Sequence, residues 1–440
     1  MCGWLAPARF HVRKSRERLR QRLGWLRTGN GMKTDEKATL SERLVSCGLE
    51  VIASNGLEHM SLRAVGSAAG STTAGIVHHF GDKAGFVRAL MEAGFQAERD
   101  WHAGMAQRIE GAELGHLDFA EWVAWYVDQR AGSTMGLFWS ELLFKSRFAP
   151  RSQEAIARWH ELRIRFWETV LAANGRRRDF APYLVSYLCM EEVCAHALAG
   201  DIYYELFKRE SLRTVTAVLF GHRSAADRSL SEWSDRRLPR YAMHAVIEGD
   251  TLPGRLIELA AKEVLEHGIR SLNQRVLAKK AGVSASMIIY HFGSMAAFEN
   301  QAIWRAMAIG VPDATNPEAD PANTSTLDKW AAMVGQTILP AKDERKAGFY
   351  CGYARMTGEV ALLSRRKPEL LPLIEHLRTL EGWASFGASQ TIWKGVVNLT
   401  RNQAAAFAIW VKGQAIVNEI HSTEADDIEK RLKKFIREVL

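Results

Sequence analysis

Apolar residues return at three- and four-residue spacing through most of this chain, which is the period of an amphipathic helix. Near the start, Leu44, Val45, Gly48, Ile52 and Ala53 share one helical face, and Leu256, Ile257, Ala260, Val264 and Leu265 do the same farther on. Gly56 and Gly268 stand where these helices are expected to stop, in the left-handed conformation that glycine adopts cheaply. Pro253 and Gly254 sit just ahead of the second one. A short helix then begins at Ser61 or Asn273, each a capping residue, and ends at Ala69 or Ala281 before Gly70 or Gly282. A third helix starts at once from Thr72 or Ser284. Its exposed first turn would hold Thr73, Ala74 and Gly75, or Ala285, Ser286 and Met287; its buried side would hold Ile76 and Phe80, or Ile288 and Phe292. The same helical rhythm fills 117–128, 155–173, 183–200, 369–380 and 403–420. The predicted fold class is all-α.

These two stretches are one pattern written twice. Residues 43–86 align without a gap to 255–298 at a constant shift of 212. Twelve positions are identical: Arg43/Arg255, Leu44/Leu256, Gly56/Gly268, Arg63/Arg275, Ala69/Ala281, Gly70/Gly282, Ile76/Ile288, His79/His291, Phe80/Phe292, Gly81/Gly293, Ala84/Ala296 and Phe86/Phe298. A repeat of this length with its glycines in register indicates duplication of a whole structural unit. Short helix, glycine turn, short helix is the helix-turn-helix pattern, whose second helix fits the major groove. Small and hydroxylated residues there let the backbone approach DNA and offer donors to phosphates and base edges.

The text GLEHMSLRAVGSAAGSTTAGIVHHFGDKAGF at 56–86, and GIRSLNQRVLAKKAGVSASMIIYHFGSMAAF at 268–298, resembles the DNA-binding domain of the TetR/AcrR family of bacterial transcriptional regulators. The resemblance implies DNA-facing roles for Ser61, Arg63, Thr72, Thr73, Gly75, His78, His79 and Lys83 in the first copy. In the second it implies them for Asn273, Arg275, Ser284, Ser286, Met287, Tyr290 and His291. Ser61 and Asn273 take the family's helix cap against a phosphate, and Lys83 its lysine after the His-Phe pair. There are departures. Val77 and Ile289 replace a tyrosine frequent in the family, Met295 replaces the lysine, and Met287 stands where a small residue is common. The second copy thus lacks a charge on its DNA side and reads either as a weaker reader or as a degenerate, structural copy.

The resemblance also implies two successive units, each a helix-turn-helix domain followed by a helical ligand-binding and dimerisation domain. The expected bounds are a basic arm at 1–38, the first helix-turn-helix at 39–87 and the first sensor at 88–228. A linker at 229–248, the second helix-turn-helix at 249–299 and the second sensor at 300–440 follow. Family members are usually half this length and pair as homodimers, so the chain looks like two protomers fused head to tail. Their last two helices would form the pairing bundle, here at 181–201 and 211–221, and at 402–421 and 426–440. The segment 222–250 is long enough to cross a domain surface, so the two halves are expected to pair with each other; a further homodimer of the whole chain is the alternative.

Charge adds less than it first suggests. The net charge is +8, but residues 1–31 hold eight Arg or Lys and one acid, so the body is nearly neutral. That tail is a phosphate-binding arm, an organellar transit peptide, or untranslated sequence ahead of a start at Met32. Five cysteines, an odd number, imply no disulfide framework. No apolar run reaches the roughly 18 residues of a spanning helix, so a cytoplasmic, nucleoid-associated protein with no membrane partner is expected. Trp122, Trp125, Trp139 and Trp167 of the first sensor are candidates to line a site for a small apolar or aromatic effector, although tryptophan at helical spacing is usually core. The proline-bearing stretch from Pro312 to Thr326 reads as a connector or a flap over the second sensor. No catalytic or metal motif is present, and no cofactor is implied; Cys189 and Cys194 are five apart, off one helical face. The expected function is a ligand-responsive DNA-binding regulator, a repressor, acting on double-stranded operator DNA with two unlike half-sites. The other reading is a ligand sensor or protein-interaction factor whose second helix-turn-helix is structural.

Overall fold

The computed structural model describes residues 39–145, 153–222, 230, 250–309, 325–342 and 345–438. The basic arm, nearly all of the linker, and the proline-bearing stretch apart from its last two residues lie outside the described residues. Among those described, the named elements are all helices.

The first unit runs α1 Leu40–Asn55, α2 Leu62–Ala68, α3 Thr73–Phe80, α4 Lys83–Ile109, α5 His116–Ala131, α6 Thr134–Lys145, α7 Gln153–Ala173, α8 Ala181–Leu198 and α9 Ile202–Ala217. The second runs α10 Leu252–His267, α11 Gln274–Lys280, α12 Ala285–Phe292, α13 Met295–Ile309, α14 Leu327–Thr337, α15 Phe349–Ser364, α16 Leu371–Thr379, α17 Trp383–Gln390, α18 Arg401–His421 and α19 Ala425–Glu438.

Local chemistry sets these bounds. A capping box between Thr39 and Glu42 starts α1, and one between Thr400 and Gln403 starts α18. Asp201 accepts from the Tyr204 N–H at 2.8 Å and starts α9 there, so the helix expected at 211–221 begins earlier and ends at Ala217. Thr251 caps α10, which places Pro253 and Gly254 inside its first turn rather than ahead of it. Gly56 and Gly268 end their helices at φ 86° and 81°, but with ψ at 154° and 172°. This is not the left-handed helical stop expected; it is an extended mirror conformation open essentially to glycine alone. It sends the chain straight into the short 3-10 turns Leu57–His59 and Ile269–Ser271.

Helices α8 and α18 are buried almost all the way round, as central helices must be. They pack on each other, α15 packs on both, and α9 packs on α18, so the two units meet through one continuous apolar core. The crossing is closest at Gly413, where an added Cβ would lie 1.7 Å from the Ser186 carbonyl oxygen. Beside it the Ser186 hydroxyl donates to Gln414 at 3.0 Å. The bundle is not a symmetric four: α19 packs mainly on α14 of its own unit. It reaches α8 through Phe435, which stacks on Trp410 at 3.9 Å and approaches Tyr183 at 6.1 Å.

The sensors themselves differ. Where the first has the 21-residue α7, the second has two short helices, α16 and α17, separated by Gly382 at φ 76°. A side chain at Gly382 would meet the Ala404 backbone at 2.3 Å, so the turn is fixed against α18.

Candidate nucleic-acid interface

Each helix-turn-helix is assembled by the same few contacts. Ser61 accepts from the Ala64 N–H at 3.1 Å, and Asn273 from those of Arg275 and Val276 at 3.1 and 3.2 Å. Gly70 and Gly282 make the turns at φ 64° and 69°. Ile76 and Ile288 are fully buried, and Phe80 and Phe292 lie 5.0 and 4.9 Å from Phe86 and Phe298, pinning each recognition helix to the helix that follows.

The opposite face is open. In the first copy Ser61, Arg63, Thr72, Thr73, His78, His79 and Lys83 are exposed, with Gly75 half-buried among them. In the second Asn273, Arg275, Ser284, Ser286 and Tyr290 are exposed, Tyr290 to 79 %, while Met287 and His291 are half-buried. Val77 and Ile289, in place of the family's tyrosine, also face outward, at 42 % and 37 % exposure.

The copies diverge in how the recognition helix is held. Thr72 caps α3 by accepting from the Gly75 N–H at 3.2 Å. Ser284 makes no such bond; its hydroxyl lies 2.9 Å from that of Ser286. Instead the Gln274 amide donates to the Ala285 carbonyl at 2.8 Å and ties α11 to the start of α12. Lys83 opens α4 beside Asp82, which caps it through Gly85 N–H at 2.6 Å. Lys280 of the second copy is bound to Glu263 at 2.5 Å.

Behind the first copy lies a polar core. Glu98, Arg130, Arg163 and Glu192 come from four helices and are almost completely buried. Arg130 bonds Glu98 at 2.6 Å, and Arg163 pairs with Glu192 and donates to the Tyr126 hydroxyl at 2.9 Å. His102 Nε2 lies 3.0 Å from the same hydroxyl. Burial, reinforced by Arg130 and Arg163, keeps His102 neutral by driving its pKa well down; burial drives that of Tyr126 up. Arg130 Nε and Nη2, Arg163 Nε and Nη1, and the indole N–H groups of Trp139 and Trp167 have no hydrogen-bond partner.

Three of the four candidate tryptophans gather around this cluster. Trp139 lies under the Arg163 guanidinium at 5.2 Å, and Trp167 sits 5.0 Å from Tyr126 and 5.2 Å from Trp122. Trp125 points elsewhere and is 39 % exposed. Sequence reasoning missed the charged residues. The spacing that could have found them is Glu98/His102 and Tyr126/Arg130, polar pairs four apart on helical faces that are otherwise apolar. Cys189 and Cys194 are buried, and burial pushes both thiols up to about 12. Among the described residues no group of three or more His, Cys, Asp or Glu is placed to hold a metal, and no helix is long and apolar enough to cross a membrane.

The sequence profile described as bacterial regulatory proteins, tetR family, matches residues 44–90 and again residues 256–300. No curated protein was found to match the chain. Both matches fall on the two helix-turn-helix domains in the same register, so the chain carries the DNA-binding domain of the tetR family of bacterial regulatory proteins in tandem.

Proposed function

We propose that this protein is a ligand-responsive repressor that works as a fused pseudo-dimer, its two unlike recognition helices reading the two halves of an asymmetric operator. The observation that carries the reading is the junction of α8 and α18. Two units that touch this closely, at Gly413 and Ser186, fill each other's pairing surface and leave it no room for a second chain. The ion pairs across the junction support it. Glu191 meets Arg378 at 3.2 Å with both side chains buried, and Asp179 meets Lys434 at 2.7 Å. Arg177 of the first unit also meets Glu438 of the second at 2.7 Å, so pairs of both senses cross the junction and make it complementary.

Two recognition helices joined in this way would enter successive major grooves about 34–36 Å apart. The first presents Thr73 and His78, the second Ser286, Ile289 and the open Tyr290 ring. Each helix turns out donors and one apolar side chain, Val77 or Ile289, but the donors sit at different places: Thr73 and His78 of the first are matched in register by Ala285 and Tyr290 of the second, which favours unlike half-sites. Effector binding would change the separation of the reading helices and release DNA, which requires the effector to prefer the DNA-incompetent spacing. Arginine donors and Glu98 and Glu192 acceptors without hydrogen bonds, beside Trp122, Trp139 and Trp167, support an aromatic effector that carries a polar group. The protein would act in the cytoplasm, on the nucleoid.

A second reading, in which the second helix-turn-helix is scaffolding, draws on Met295, on half-buried Met287 and on the engaged Lys280. One experiment separates the two. Sites are selected from random duplexes with the full chain, and the half-sites are then exchanged or made identical. Loss of affinity in either altered arrangement supports the asymmetric reading. Equal affinity for all arrangements rejects it and favours scaffolding.

A further inference from the structure

The two DNA-binding domains carry opposite charges at one repeat position, and the pairing of the units brings those charges together. The 3-10 turn after α1 holds Glu58, and the turn after α10 holds Arg270 at the same place in the repeat. Arg270 Nε lies 3.8 Å from Glu58 Oε2. In a two-fold homodimer a position on the axis meets its own copy. Here duplication has made that position complementary.

Glu58 is also the meeting point of the sensors. Its side chain is 8 % exposed and takes Lys145 Nζ at 2.9 Å and Arg366 Nη2 at 3.4 Å. Lys145 closes α6 in the first sensor; Arg366 follows α15 in the second. One carboxylate of the first DNA-binding domain is therefore met by cations of both sensors and of the other DNA-binding domain. Burial alone would raise the Glu58 carboxyl, but Lys145, Arg366 and Arg270 outweigh it and hold the group ionised below the usual carboxylate range.

The neighbouring bonds fix the geometry of this junction. Glu141 of α6 accepts from the Leu57 N–H at 3.0 Å and from Arg366 Nη1 at 3.2 Å. Arg365 donates to the Ala53 carbonyl at the end of α1, at 3.1 Å. In the second copy Glu359 of α15 accepts from the Ile269 N–H at 2.8 Å, so each sensor holds its own DNA-binding domain by the same backbone group. In the first copy Arg365 and Arg366 of the opposite unit add direct bonds to this hold.

We propose that Glu58 is the positioning residue that registers the two recognition helices against each other, and that its contact with Arg270 sets the half-site spacing the protein accepts. This rests on the pseudo-dimer reading above. A shift of either α6 or α15 moves a cation off Glu58, so both sensors act on the spacing through the same carboxylate.

The test uses the full chain and the selected duplexes, with one base pair inserted between the half-sites. The wild-type protein is expected to bind the lengthened site more weakly. In Arg270→Gln that penalty shrinks about threefold to fivefold, the worth of a partly exposed ion pair, while affinity for the original site changes little. Glu58→Gln does the same or more, and the double variant is no worse than the larger single, as expected of one shared contact. Arg270 is 41 % exposed at its side chain, so its variant keeps the test open if Glu58→Gln does not fold. Unchanged spacing penalties in folded variants, with wild type discriminating, overturn this proposal alone. Failure of the wild type to select any duplex overturns the regulator reading and this one with it.

Discussion

The two units share the backbone frame of their helix-turn-helix domains and differ in the cores of the sensors behind it. In both, a capped short helix, a glycine turn and a recognition helix are pinned through the same isoleucine and the same phenylalanine pair. The frame tolerates little change because its backbone does the work: the positive φ of Gly56, Gly70, Gly268 and Gly282 admits few other residues. The sensors are held by packing, which many sequences satisfy. The first keeps two acids and two arginines in its core. The second fills the region around Trp330, Trp393 and Phe407 with aromatic contacts at 5.7–6.4 Å. Buried donors without a hydrogen-bond partner stand in both cores, Trp330 and Trp393 in the second and Trp139, Trp167, Arg130 and Arg163 in the first; the first sets them beside two acids.

The sharpest way to break this contrast is to remove one charge from the first core. Arg163→Met leaves Glu192 and Glu98 buried without their second cation, and about 3–5 kcal/mol of stability should be lost in denaturant unfolding. Replacing all four charges together, with Glu98→Leu, Arg130→Met, Arg163→Met and Glu192→Leu, should restore most of it, because a buried ion pair is often no better than an apolar pair of the same volume. The four-fold variant should then still bind operator and no longer respond to effector. A fully stable Arg163→Met would show that Arg163 is not part of a buried ion-pair cluster.

Much of the reading frame was legible in the sequence, since glycine spacing, caps and periodicity are local. Ser61, Asn273 and Thr72 cap as their types require; Ser284, of the same type, does not, because the Met287 N–H donates to the Ser284 carbonyl at 3.1 Å and the Ser284 hydroxyl lies against that of Ser286. What could not be read was tertiary. Charged residues such as Glu98 and Arg163 look like solvated helix positions until four helices converge on them. Trp125 has the same spacing as its neighbours yet faces out. The Glu58/Arg270 pair was visible as a difference between the repeats, but its meaning needs the two turns to be neighbours.

Acid should distinguish the units next. Burial pushes His160 and His196 down to about 3, so both stay neutral in the fold. Unfolded, they take up a proton below their ordinary value of about 6.5. The unfolded state therefore binds more protons across the window from about 6.5 down to about 3, and stability falls as pH falls through it. At pH 5 the loss should be about 2 kcal/mol for each, given about 1.4 kcal/mol per pH unit. Both belong to the first sensor. His421, the partner of His160 at 2.9 Å, stands in the second and is only partly buried. Thermal unfolding between pH 7 and 5 should show this loss, and His196→Gln should flatten it by about a third, since His102 is held neutral as well. An unchanged slope in that variant would mean that the imidazole is not held neutral.

The smallest expected effect concerns the cation by which the helix-turn-helix domains differ at the start of the following helix. Lys83 is exposed at the first turn of α4, and Met295 takes its place at the start of α13. With the preceding helix in the groove, a lysine there would meet the phosphate backbone. Phosphate contacts add affinity without regard to sequence and make it salt-dependent, by close to 0.9 in the slope of log K against log salt for each contact. Met295→Lys should therefore tighten binding to selected and unrelated duplexes alike, about threefold to tenfold at low salt, and steepen that slope by about one contact. Lys83→Met should do the reverse, leaving half-site preference intact. If the second helix-turn-helix never touches DNA, Lys83→Met will act and Met295→Lys will not, and the two units will differ in function as well as in their cores.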